Sequence, residues 1–234
     1  MKVKVVLFGI EDVLYDSLIH MSTARLNAVR AMIEDGLPTE VETTYKVLEE
    51  VVDGYGLDYT RHFDELLKRL GLRWNPRVIA SGVVAYRETS SAYLRPFPDT
   101  VPTLLGLRDK GYRIAIVSAG RAVKQWQKLV QLGLKHLFHE VIISEELGFE
   151  IFDSGLFREV LDRFSLEPQD SIFVGSQIEP DIAAANNFRV PSIRISRRHP
   201  VVESIVKSKI KPLYEIERLS EIFTVIDKIN SEKK

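Results

Sequence analysis

The chain has 234 residues, of which 45% are hydrophobic and 28% are charged, and its formal net charge is −1. This length and composition predict a globular protein with one large domain, or with one domain that carries an insert. The near-zero net charge disfavours general attraction to nucleic acid or to an anionic membrane, and the absence of cysteine excludes disulfides, thiolate metal sites and thiol nucleophiles.

The first predicted element is a short apolar stretch at the start of the chain. Residues 3–8 are rich in valine and end in Leu7 and Phe8, which predicts a buried strand running into a tight loop at Gly9. In an open parallel sheet, ligands bind just beyond the carboxyl ends of the strands. The residues from Gly9 onward are therefore expected at the mouth of a pocket.

The next stretch is helical. Apolar residues recur at helical spacing through residues 16–94 and predict four helices. Thr39 and Glu42 predict a capping box before the second helix, and Asn75-Pro76 predicts the start of the fourth because proline is tolerated in a first turn. Four helices joined by short links predict a helical bundle inserted after the first strand.

The remainder of the chain alternates between strands and helices, beginning after a predicted hinge at Pro96-Phe97-Pro98. The predicted strands are 112–118, 140–144, 171–175 and 192–195. Repeated βα units imply a parallel sheet covered by helices on both faces. The predicted fold class is therefore α/β, with a Rossmann-like parallel sheet core formed by residues 1–15 and 95–234 and an all-helical cap domain formed by residues 16–94.

Five residues near the first strand carry a resemblance to a known family. Phe8, Asp12, Leu14, Asp16 and Ser17 match the pattern Phe-Asp-x-Asp-(Gly/Asp)-Thr-Leu-x-Asp-Ser. The chain thus resembles the cap-bearing phosphatases and dehalogenases of the haloacid dehalogenase (HAD) superfamily. The resemblance implies an aspartate nucleophile that forms a covalent intermediate. It also implies Mg²⁺ held by that aspartate, a backbone carbonyl and a later carboxylate, with a Ser or Thr and a Lys that bind the transferred group.

Four of the family's positions carry other residues in this chain. By the resemblance, the nucleophile falls on Gly9 and the acid/base aspartate falls on Glu11. The family's lysine falls on Ile151, and its metal-binding carboxylate falls on Ser176. The nucleophile, the cation and a metal carboxylate are thereby lost, and Glu11 alone keeps acid/base capability.

Two further family positions are retained, and each has a simpler structural explanation. Ser118 ends the strand 112–118 in the position that binds phosphate in the family, although a serine also suits the turn before Ala119-Gly120. Asp181 keeps the last aspartate of the fourth motif, although an aspartate in the first turn of a helix is favourable without any ligand.

These replacements predict a catalytically inactive HAD-like protein, with no catalytic residue and no magnesium, that acts in binding or regulation. The predicted vestigial pocket consists of Gly9, Glu11, Ser118, Ile151, Ser176 and Asp181. The alternative is a weak or unconventional phosphatase or phosphate-ester-binding hydrolase that uses a different set of residues. Mg²⁺-dependent turnover of a generic phosphate ester would distinguish the two.

The predicted partner is a protein, with a basal transcription factor as one candidate, and neither nucleic acid nor a membrane is expected. The candidate partner surface consists of basic residues: Arg61, Lys68, Arg69, Arg73, Arg197 and Arg198. No apolar run reaches the roughly 18 residues of a membrane span, and no signal-peptide pattern precedes the first strand. A cytoplasmic location is therefore predicted, and the interleaved Lys, Arg and Glu are typical of a thermophile, here expected to be archaeal.

Overall fold

The computed structural model describes residues 2–149, 152–153, 155–197 and 209–231. The chain divides into two compact units, one formed by Met1–Asp16 with Arg95–Lys234 and the other by Ser17–Leu94. Within the ranges described, no helix combines the length and the apolar character that a membrane crossing requires.

The unit Ser17–Leu94 is helical. Its helices are α1 (Ser17–Glu34), α2 (Val41–Tyr55), α3 (His62–Arg69) and α4 (Pro76–Tyr93). Their apolar faces meet in a core that includes Met32, Leu48, Leu66 and Val78. The predicted start of α4 is confirmed, because the Asn75 side chain accepts hydrogen bonds from two backbone N–H groups of the first turn.

The start of α2 differs from the prediction. The helix begins at Val41, and no side-chain hydrogen bond caps it. The hydroxyl oxygen of Thr39 lies 2.7 Å from that of Thr44 and accepts its hydrogen bond. The capping box predicted from Thr39 and Glu42 is therefore wrong, because a threonine in the first turn of the helix engages the hydroxyl that the cap requires.

The other unit contains one parallel sheet. In the described ranges its strands are β1 (Val5–Phe8), β2 (Arg113–Ser118), β3 (Glu140–Ile143), β4 (Ser171–Gly175), β5 (Ser192–Ile195) and β6 (Tyr214–Ile216). They lie in the order β3-β2-β1-β4-β5-β6, and every neighbouring pair is parallel. All four residues of β1 are fully buried, as the apolar pattern of that segment predicts. The predicted α/β parallel core is confirmed.

Helices connect these strands. They are α5 (Thr100–Asp109), α6 (Ala122–Gln131), α7 (Gly155–Phe164), α8 (Ala183–Asn187) and α9 (Ile222–Ser231). One face of the sheet packs on α7 through aromatic contacts, in which Phe157 meets Phe173 edge to face at a centroid distance of 4.9 Å. Because the connections are parallel crossovers, the loops that follow β1, β2 and β4 emerge at the same edge of the sheet.

Candidate active site

Three central strands place the candidate site. In the pairing of β1 with its neighbours, Phe8 lies opposite Ile116 of β2 and Val174 of β4. The backbone N–H of Gly9 donates to the carbonyl of Val174 at 2.9 Å, so the loop after β1 begins directly beside the end of β4. The carboxyl ends of these strands therefore bring the first loop, Ser118 and the loop after β4 to one edge.

Glu11 forms the central charged contact of this edge. Its Oε1 atom accepts a hydrogen bond from Nζ of Lys128 at 2.5 Å. Nζ also donates to Oε1 of Gln125 at 3.2 Å. The side chains of Lys128 and Glu11 are 26% and 31% exposed, which leaves the ion pair accessible to a small ligand. Lys128 belongs to α6 and was not predicted as a site residue, because no local motif links it to a position 117 residues earlier.

Ser176 and Asp181 brace the loop after β4. The hydroxyl of Ser176 donates to the backbone carbonyl of Glu11 at 3.1 Å. Oδ2 of Asp181 accepts hydrogen bonds from the backbone N–H groups of Ser176 and Gln177 at 3.0 and 3.1 Å. Burial raises the pKa of the Asp181 carboxyl above its usual value, and the two backbone hydrogen bonds oppose this rise. The loop is thus held to Glu11 on one side and to a buried carboxyl on the other.

In the segment after β2, backbone N–H groups donate hydrogen bonds to side chains of the protein. Ser118 is 3% exposed. The N–H of Gly120 donates to the hydroxyl oxygen of Ser144 at 3.0 Å, and the N–H of Ala122 donates to Oε2 of Glu145 at 2.7 Å. These two N–H groups therefore bind protein oxygens at the start of α6, where a helix N-terminus otherwise attracts anions.

Position 9 has no side chain but has room for one. A Cβ atom built on Gly9 would lie 3.5 Å from Cγ2 of Val13 and 3.7 Å from the carbonyl oxygen of Val174, both ordinary van der Waals distances. Glycine is therefore not required there by packing. The family's covalent route through residue 9 is nevertheless unavailable, because glycine carries no nucleophile.

Protein groups already engage the oxygens at this edge that a magnesium ion would need. Mg²⁺ requires near-octahedral oxygen coordination, usually with one or two carboxylates. Here the carboxylate of Glu11 is paired with Lys128. The backbone carbonyl of Glu11 accepts a hydrogen bond from the hydroxyl of Ser176. Nε of Arg194 donates to the carbonyl of Ser176 at 3.3 Å, which brings a guanidinium to the same place. Among the residues that the structure describes, no group of three or more His, Cys, Asp or Glu could hold a metal ion.

The basic residues predicted as a partner surface differ in their surroundings. Arg61 pairs with Asp64 at 3.0 Å, and Lys68 pairs with Glu65 at 3.4 Å. Both pairs lie within α3 or at its start, so each positive charge has a negative neighbour. Arg69 and Arg73 are exposed.

Ile151 of the predicted pocket and Arg198 of the predicted surface lie outside the described residues. The predicted protein partner stays a prediction.

Arg197 does not lie on an open surface as predicted. Its side chain is 13% exposed and forms an ion pair with Asp99 at 3.0 Å. The guanidinium lies over the ring of Phe97, 3.6 Å from its centroid, and one nitrogen donates to the carbonyl of Val13 at 3.2 Å. A run of basic residues predicts a surface patch, whereas the fold buries this arginine against an aspartate and an aromatic ring.

Comparison with known proteins identifies the protein family to which the chain belongs. A family model described as haloacid dehalogenase-like hydrolase matches residues 3–189, and the chain belongs to this family. It is 43% identical over 227 residues to the glyceraldehyde 3-phosphate phosphatase of Methanopyrus kandleri, which covers 96% of this chain and 97% of that protein. It is 34% identical over 233 residues to the protein of the same name from Pyrococcus furiosus, covering 100% and 97%.

A solved structure supports the same fold. The HAD-hydrolase YfnB from Bacillus subtilis, bound to magnesium, superposes with a TM-score of 0.66 at 19% identity and covers 97% of this chain and 100% of that one. At this identity the similarity concerns the fold alone. The HAD resemblance predicted from the first motif is confirmed by the family match.

The prediction of a catalytically inactive protein is wrong, and so is the predicted role in transcription regulation. Relatives that match nearly the whole chain are named as phosphatases. The prediction had rested only on the residues at the family's usual catalytic positions. Because Lys128 reaches Glu11 from a different helix, the loss of a lysine at position 151 does not remove positive charge from this edge.

Proposed function

We propose that the chain hydrolyses phosphate monoesters at the carboxyl edge of its sheet, with a triose phosphate such as glyceraldehyde 3-phosphate as the substrate. The observation that carries the proposal is the 43% identity to a glyceraldehyde 3-phosphate phosphatase over 96% of the chain. The ion pair of Glu11 with Lys128 supports it, because it places a carboxylate and an ammonium together beside the end of β1.

Glu11 is the proposed general base. Its carboxylate takes a proton from a water molecule while the water oxygen forms a bond to phosphorus and the ester P–O bond breaks. The same proton then passes from Glu11 to the leaving alkoxide, so that the products are the alcohol and inorganic phosphate. Direct attack by water replaces the covalent route, since Gly9 offers no nucleophile.

The loop after β4 has a positioning role in this proposal. The hydroxyl of Ser176 binds the carbonyl of Glu11, and the carboxyl of Asp181 binds the two N–H groups at residues 176 and 177. These bonds hold the backbone of Glu11, so that its carboxylate is oriented before the substrate arrives. Magnesium enters no step of this mechanism, because the carbonyl of Glu11 is engaged and Arg194 lies at the carbonyl of Ser176.

The test is release of inorganic phosphate from glyceraldehyde 3-phosphate by the purified protein, measured with and without Mg²⁺. The Glu11→Gln variant keeps the shape of the side chain but cannot accept the proton. We expect it to lower kcat by about 10²–10⁴-fold, the usual contribution of a general base. Glu167→Gln is the matched control, because Glu167 is exposed and follows α7 away from this edge.

Two results would contradict the proposal. A wild-type protein that releases no phosphate from glyceraldehyde 3-phosphate or from para-nitrophenyl phosphate above a protein-free blank is not a phosphatase. A Glu11→Gln variant with unchanged kcat would remove Glu11 from the chemistry. Activity that requires Mg²⁺ would keep the chain a phosphatase but would overturn the metal-free mechanism.

A further inference from the structure

We propose that Lys128 of α6 is the residue that binds the phosphoryl group of the substrate. This inference rests on the proposed phosphatase function and adds a specific cation to it. The starting observation is that Nζ of Lys128 lies 2.5 Å from Oε1 of Glu11, on the loop that follows the central strand.

Lys128 is positioned from two sides. Gln125, one turn earlier on α6, is 5% exposed. Its Nε2 atom donates to the carbonyl of Ala119 at 2.7 Å, which directs its Oε1 atom toward Nζ of Lys128 at 3.2 Å. Glu11 holds the ammonium from the other side. The amide of Gln125 thereby ties the ammonium to the segment directly after Ser118, so the cation lies between the ends of β1 and β2.

The ammonium has capacity for a phosphate oxygen. A lysine Nζ carries three N–H donors. Within the described part of the chain, Glu11 and Gln125 are the acceptors that contact it. The third donor remains available, and the side chain of Lys128 is 26% exposed. A phosphate placed beside Lys128 therefore gains a charge-assisted hydrogen bond while the Glu11 carboxylate stays within reach.

Two arginines of the same unit, Arg194 and Arg197, also have protein partners. The guanidinium of Arg194 donates to a backbone carbonyl and lies 3.5 Å from Oε1 of Glu215. Arg197 is paired with Asp99 and packed over an aromatic ring. Phosphoryl transfer requires positive charge already in place near the non-bridging oxygens. Of these cations, Lys128 is the one that contacts the proposed general base directly.

The experiment compares Lys128→Met, Lys128→Arg and Lys135→Met with the wild-type chain. Two measurements are made on each: kcat/KM with glyceraldehyde 3-phosphate, and the affinity for inorganic phosphate by titration calorimetry. We expect Lys128→Met to lower kcat/KM by about 10²-fold or more and to weaken phosphate binding by about tenfold or more. Lys128→Arg keeps the charge and should recover part of both. Lys135 is exposed in the loop after α6, and its variant should match wild type.

The outcomes separate this inference from the proposed function. If wild type hydrolyses the ester and a folded Lys128→Met variant keeps both rate and phosphate affinity, Lys128 is a structural partner of Glu11 only, and the inference is overturned. If wild type binds phosphate through Lys128 but hydrolyses no ester, the proposed function fails and the binding role stands. If wild type binds no phosphate, the inference fails. Should Lys128→Met not fold, the comparison of Lys128→Arg with Lys128→Gln decides between the same outcomes.

Discussion

At the scale of single residues, Asp181 links the candidate site to pH. Burial raises the pKa of its carboxyl, so the folded state binds this proton more tightly than the unfolded state. The contribution of Asp181 to folding is therefore complete below the ordinary pKa of an aspartate, about 3.9. It is lost as the pH rises from there through the raised value.

The Asp181→Asn variant tests this dependence. The amide oxygen can still accept the N–H groups of Ser176 and Gln177, but the side chain no longer ionises. We expect the free energy of unfolding of the variant, relative to wild type, to be higher near pH 7 than near pH 4 (about the ordinary pKa of an aspartate). Urea denaturation at both pH values measures it, with exposed Asp162→Asn as the control. If the variant and wild type differ in free energy of unfolding by the same amount at both pH values, the result would argue against Asp181 being a buried carboxyl that titrates in this range.

Two glycines at the same edge of the sheet differ in the space available for a Cβ atom. A Cβ atom on Gly175 would lie 2.7 Å from Cβ of Asp181 and 2.8 Å from Cε1 of Phe173, distances that force one of these groups to move. A Cβ atom on Gly9 meets nothing closer than 3.5 Å. We expect Gly175→Ala to lower the free energy of unfolding by about 1–3 kcal/mol through overpacking.

Gly9→Ala serves as the matched variant, one strand away. It should stay within about 1 kcal/mol of wild type, because the alanine fits and restricts the unfolded chain. Thermal and urea unfolding of both variants measure the difference. A Gly9→Ala variant that loses as much stability as Gly175→Ala would mean that the space beside residue 9 is smaller than the structure indicates.

At the scale of elements, Arg197 joins three segments of the sheet-containing unit. Directly after β5, its side chain pairs with Asp99, packs on Phe97 and donates to the carbonyl of Val13. Asp99 in turn accepts the N–H of Leu219 at 2.7 Å. The predicted hinge at residues 96–98 is therefore held to the first loop and to the end of the sheet by one guanidinium.

Removing this guanidinium should be costly. We expect Arg197→Met to lower the free energy of unfolding by about 3 kcal/mol, because it leaves a mostly buried carboxylate without its partner. Arg163→Met is the control: Arg163 is 42% exposed and pairs with Glu159 and Glu140 at the surface, so its loss should cost less than about 1 kcal/mol. Equal losses in the two variants, measured by urea denaturation, would show that burial does not strengthen the Arg197 pair.

For the whole molecule, the sequence patterns that correctly predicted strands and helices are local. The apolar run before Gly9 predicted β1, and its apolar side chains required burial on both faces of a sheet. Helical periodicity across residues 16–94 predicted α1 to α4, and Asn75-Pro76 predicted the first residues of α4. Each of these signals depends on residues within a few positions of one another, so propensity and periodicity suffice.

The first motif also determined the family from sequence, but it misled on function. Motif positions 9, 151 and 176 lack the groups that the family's chemistry uses, and the sequence alone does not reveal that the distant Lys128 approaches Glu11. The capping box predicted from Thr39 and Glu42 was wrong for a similar reason at shorter range. The hydroxyl of Thr44 donates to the hydroxyl oxygen of Thr39, which the cap would have needed.

The strands, the helical insert and the family were therefore predictable from the amino-acid sequence, because hydrophobic periodicity and motif spacing are properties of neighbouring residues. Which charged side chains form ion pairs depends on the three-dimensional packing. Lys128 lies 117 residues from Glu11, and Arg197 lies 98 residues from Asp99. Such pairs are selected by how helices and loops pack around the sheet, where taking a charge out of water favours whichever opposite charge the fold brings within contact.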